Sequence, residues 1–69
     1  MNTETKESAL NILLSPTSNP FDAANAARWL ATAHANAPDV IDALLISVMN
    51  PSPLVREGVL KALRTLLRR

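Results

Sequence analysis

"PDVIDALLISVMNPSPLVREGVLKALRTLL", from Pro38 to Leu67, is the stretch whose reading decides the fold. Val40, Ile41, Leu44, Leu45 and Val48 recur at helical spacing, which predicts a helix from about Pro38 to Met49 with those residues on one side. "NPSP" then breaks it, because each proline lacks an N–H donor and its ring clashes with the preceding turn. Ser52 is placed to cap the next helix and Pro53 to open it. Val55, Val59, Ala62, Leu63, Leu66 and Leu67 form the apolar face of that helix. Two amphipathic helices joined by a short turn make a hairpin.

The same polar-cap-then-proline device occurs upstream. Asn19 stands as N-cap, Pro20 as first helical residue and Asp22 as a first-turn carboxylate. The helix they open carries Ala23, Ala26, Ala27, Leu30 and Ala33 or His34 along one stripe and ends near Asn36. Its alanines let a neighbouring helix approach closely, which marks it as an inner helix. Ahead of it, about Thr3 to Leu14 places Ala9, Leu10, Leu13 and Leu14 together, with Thr3 as cap and Glu4 and Glu7 at the positive end. "SPTSNP" ends that helix. The expectation is a single all-α domain: four short antiparallel helices in two hairpins, about residues 3–36 and 38–69. They would form an α-solenoid fragment or a compact bundle, with consecutive helices as neighbours.

Composition agrees with a helical reading and excludes several functions. The chain is 48% hydrophobic, much of that Ala, Leu, Ile and Val, with one glycine, Gly58. No cysteine and one histidine, His34, exclude disulfides, thiolate metal sites and His-rich metal sites. No nucleophile–base set, cofactor loop or small-molecule site can be assembled, so no catalytic, cofactor or metal residue is assigned and a non-enzymatic protein is expected. No apolar run approaches the roughly 20 residues that span a bilayer. The polar start "MNTETKESAL" lacks a signal-peptide core. A soluble, cytoplasmic protein is the expectation.

A shift of 33 positions lays Pro20 on Pro53, Phe21 on Leu54, Ala26 on Val59, Arg28 on Lys61, Leu30 on Leu63 and Thr32 on Thr65. Periods in the 30s belong to helical repeat proteins; chance apolar matching is the competing reading. Residues 38–67 resemble a single HEAT repeat: an apolar first helix, a proline-bearing turn, then Val55-Arg56 as the Val-Arg pair and Ala62-Leu63 as the Ala-Leu pair. Asn50 stands where that family has Asp, and Asp22-Ala23 where the first hairpin would need Val-Arg. The resemblance implies a scaffold that binds other macromolecules, mostly proteins, and a structural role for Arg56 in the turn. Two hairpins fall short of the three or so repeats usually needed for stability. No polar capping helix is evident. Either the helices close into a bundle or a second chain covers apolar surface, and a homodimer is the expected partner.

Charge is distributed unevenly. Residues 1–52 hold Lys6 and Arg28 against Glu4, Glu7, Asp22, Asp39 and Asp42, a net −3, while residues 53–69 hold Arg56, Lys61, Arg64, Arg68 and Arg69 against Glu57, a net +4. Arg56, Lys61, Arg64, Arg68 and Arg69 are therefore candidates for a partner's acidic surface, or for phosphates if the chain assists a nucleic-acid complex. The plainer reading is a solvated helix end that offsets the macrodipole, with Glu57 and Lys61 as an i, i+4 pair. Trp29 is either an interface anchor or a large core residue. Phe21 is expected to pack on its hairpin partner and Met49 to fill a gap in the core. His34 reads as a helix-end histidine. Asp39 and Asp42 read as helix N-terminal carboxylates more readily than as a weak divalent-ion pair.

Overall fold

In the computed structural model, which describes residues 5–68, four helices and no strands are found among the described residues. They are α1 (Lys6–Leu14), α2 (Pro20–Ala33), α3 (Pro38–Ser47) and α4 (Pro53–Leu67). Thr3, Glu4 and Arg69 lie outside the described residues. The cap of α1 is Thr5, whose Oγ1 accepts from the Ser8 N–H at 3.1 Å. Asn19 caps α2 as expected, its Oδ1 accepting from the Phe21 N–H at 2.8 Å. Removing that bond by Asn19→Ala is expected to cost about 1 kcal/mol, read from chemical denaturation followed by Trp29 fluorescence.

Three helix-end expectations are corrected. Helix α2 stops at Ala33 rather than near Asn36, with His34 as C-cap and the Ala37 N–H bonded back to the His34 carbonyl at 3.1 Å. The residue before Pro38 is pushed out of helical conformation, and Ala37 is extended. Helix α3 stops at Ser47, so Val48 and Met49 belong to the turn. Ser52 sits at the N-cap of α4, yet makes no side-chain cap bond. Its N–H instead donates to Asn50 Oδ1 at 2.8 Å. The Asn50 side chain therefore closes the "NPSP" turn.

The helices neighbour one another in the ring order α1–α2–α4–α3. The main interfaces are α2 on α4 and α1 on α2; the consecutive pair α2 and α3 barely touch, against expectation. Each hairpin thus stacks on the other. The radius of gyration is 10.3 Å, close to the value of about 11 Å for a folded chain of this length. A small bundle results.

Alanine dominates its core. Leu13, Leu30, Val40, Leu44 and Val59 are fully buried among Ala9, Ala23, Ala26, Ala27, Ala31, Ala43 and Ala62. Helices α2 and α4 come close at Gly58, where a Cβ would stand 2.7 Å from Ala24 Cβ and 2.9 Å from Ala24 Cα. The 33-residue correspondence extends to a hydrogen bond within each of these two helices. Thr32 Oγ1 donates to the Arg28 carbonyl at 3.0 Å, and Thr65 Oγ1 to the Lys61 carbonyl at 3.1 Å.

Hairpins are also tied through charge. Lys6 Nζ of α1 lies 3.0 Å from Asp39 Oδ2 of α3. Asp39 Oδ1 also accepts from the Val40 N–H at 3.0 Å. The Lys6 ammonium, first by its hydrogen bond and then by its charge, holds the Asp39 carboxyl below the usual carboxylate value. A depressed native pKa adds stability above the unfolded-state value, about 3.9, and loses it as pH falls through the native one. Lys6→Ala should therefore melt slightly below wild type near pH 7, and the gap should close near pH 2. Parallel thermal melts at the two pH values read this directly.

Candidate interaction surfaces

Several apolar residues assigned to the core by periodicity stand at the surface. Leu14 is 48% exposed, Leu45 53% and Leu67 85%, with Ile41 also exposed, whereas Ile12 is buried. The reason is packing order. Helix α4 leans on α2, so α3 and α4 meet over a short length only and their facing apolar flanks remain uncovered. Between them lies an open groove of about 560 Å³ lined by Ile41, Leu45, Leu63, Leu66 and Leu67, with Ala35 and Asn36 at its edge.

Ile46 and Met49 form a smaller apolar patch with Leu14, beside α1. Met49 does not fill a core gap: it lies in the turn two residues past the end of α3 and is 85% exposed. Phe21 is 66% exposed and does not pack on α1. As the second residue of α2 it lines a shallow depression of about 120 Å³ between α2 and α4. Leu54, Arg28, Glu57 and Lys61 form the rest of that wall, over a floor of Ala24 and Gly58.

Arg56, Lys61, Arg64 and Arg68 are all exposed along α4. Lys61 Nζ lies 3.7 Å from Glu57 Oε1, the expected i, i+4 pair, with both side chains largely in water. Such a pair contributes only a few tenths of a kcal/mol. Arg28 of α2 joins Lys61 in the same depression, its guanidinium bonded to Asn25 Oδ1. Arg28 was absent from the candidates drawn from sequence. The signal for it was present, since the 33-residue shift lays Arg28 on Lys61.

Trp29 is half-buried against the core and lines neither groove. Its ring meets the His34 ring edge-on, with centroids 5.1 Å apart and planes at 64°. His34 is the helix-end residue expected, its N–H donating to the Leu30 carbonyl at 2.9 Å. Asp39 is engaged with Lys6 and the α3 backbone, and Asp42 is exposed on the same helix. Among the described residues no three His, Asp or Glu side chains come together in a metal-binding group. No described helix is long and apolar enough to cross a membrane.

Comparison with family models, with curated proteins and with solved structures finds no match to this chain.

Proposed function

We propose that the chain is a non-enzymatic, HEAT-like protein–protein interaction module that self-associates through the α3–α4 groove. The observation that carries this reading is the groove itself. Ile41, Leu45, Leu63, Leu66 and Leu67 present one contiguous apolar surface on a chain whose own core is largely alanine. Contiguous apolar surface on a small soluble domain marks an interaction site. Leucine and isoleucine side chains there would release water on contact, at about 25 cal/mol per Å² of apolar area. The basic flank of α4 contributes orientation and rate of encounter more than affinity.

A dilution series followed by methyl NMR tests this. Concentration-dependent shifts confined to the Ile41, Leu45, Leu63, Leu66 and Leu67 methyls support the groove as the contact face. Shifts that stay constant over a hundredfold dilution, with a monomer's tumbling time throughout, remove self-association.

A second reading has an observation of its own, the row Lys61, Arg64 and Arg68 on exposed α4 with Arg28 beside Lys61. These cations would contact the backbone of a nucleic acid. Filter binding over a salt series decides it: retention that weakens steeply with salt supports nucleic-acid binding, and none at low salt removes it.

A further inference from the structure

Outside the apolar lining of the groove, helices α3 and α4 carry opposite charge. Helix α3, "PDVIDALLIS", has Asp39 and Asp42 and no cation. Helix α4 has Lys61, Arg64 and Arg68 after Glu57 and no acid beyond it. Asp42 and Arg64 are exposed and lie three residues before Leu45 and Leu67, the spacing of neighbours on a helix surface, so each charge flanks an apolar groove residue. Opposed surfaces of this kind are complementary to themselves. A second copy turned by a two-fold axis lays its α3 on the first copy's α4, and its α4 on the first copy's α3. Asp42 then faces Arg64 twice, at the rim of one apolar contact. Setting α3 on α3 would oppose aspartate to aspartate instead, which costs affinity.

The other hairpin ends the assembly. The surface between α1 and α2 is lined by Asn11, Ser15, Thr17, Ser18, Asn19 and Asp22, with Ile12 beneath. Ile12 is buried. That surface has no row of leucines like the groove's, so a head-to-tail stack, which would generate open filaments, would have to use the smaller patch of Leu14, Ile46 and Met49.

We infer that the groove's occupant is a second copy of this chain, docked α3 on α4 about a two-fold axis in a closed pair. This rests on the self-association proposed above and names its geometry. Because the chain has no cysteine, single cysteines report contacts between copies. Leu45→Cys protein mixed with Leu67→Cys protein and oxidised mildly should form a covalent dimer. Leu45→Cys mixed with Asn11→Cys should not. The reverse pattern, or sedimentation that grows past the dimer with concentration, overturns the closed pair and leaves self-association standing.

Charge exchange gives an independent reading. Asp42→Arg and Arg64→Asp should each raise the dimer dissociation constant about tenfold, because two rim contacts turn repulsive. The double variant should recover to within about threefold of wild type. Single variants that dimerise as wild type does, or a double variant no tighter than the singles, overturn the crosswise pairing. A wild-type chain that stays monomeric and instead binds a different protein through Leu45 removes the second copy as occupant.

Discussion

Gly58→Ala is expected to destabilise the fold by about 1–2 kcal/mol, although alanine is the better helix former by about 1 kcal/mol. A Cβ at position 58 would meet Ala24 Cβ at 2.7 Å and its Cα at 2.9 Å. A side chain's end could swing away; a backbone atom cannot. The two helices must therefore separate along the largest interface in the molecule, loosening Val55, Val59, Leu30 and Ala27 together. Gly58→Val adds branching at the same atom and should cost about 3 kcal/mol or more. That is a large share of the roughly 3–10 kcal/mol available to a domain of this size. The check is a denaturation midpoint by circular dichroism, with Ala24→Gly introduced alone and beside Gly58→Ala. Removing the Ala24 Cβ relieves part of the clash, so the two substitutions should couple by about 1 kcal/mol. A Gly58→Ala protein more stable than wild type would mean helix propensity decides and that α2 and α4 are not in close contact there.

Leu45→Glu is expected to abolish self-association while leaving thermal stability within about 0.5 kcal/mol of a wild-type monomer. Leu45 is more than half exposed, so a glutamate there meets water in the isolated chain. In the paired state it would bury an unpartnered carboxylate in an apolar contact, which costs several kcal/mol per copy. Loss of more than a hundredfold in the dimer association constant follows from about 2.8 kcal/mol. Leu30→Glu gives the contrast. Leu30 is fully buried, so that variant should unfold rather than dissociate. Sedimentation and melting must be read together. A Leu45→Glu protein that dimerises at the wild-type concentration moves the contact elsewhere, to Phe21 or to the Ile46–Met49 patch.

Local signals made most of the secondary structure legible in the sequence. Pro20, Pro38 and Pro53 each open a helix at the position anticipated, and Asn19 caps as its side chain allows. These are short-range effects, decided by a proline ring or an amide oxygen two residues away. Which helices neighbour one another was less legible. Periodicity identifies an apolar face but not its width, so Ile41, Leu45 and Leu67 read as core although their partners reach only the other flank. The alanines of α2 foretold a close neighbour but not that it would be α4. The 33-residue shift laid Arg28 on Lys61, but that the two share one depression depends on helices distant in sequence. Ser52 holds the N-cap position anticipated but makes no cap bond, while Asn50 closes the turn by accepting from the Ser52 N–H.

The most direct test of the central proposal is the solution mass of the wild-type chain by sedimentation equilibrium, at low and high salt, across the micromolar range. The expected result is a dimer that does not grow further and that persists in high salt, because its contact is apolar and only its rim is charged. A monomer throughout that range would contradict self-association. A dimer that falls apart as salt is raised would show instead that the charges of α4, and not the leucines of the groove, hold the copies together.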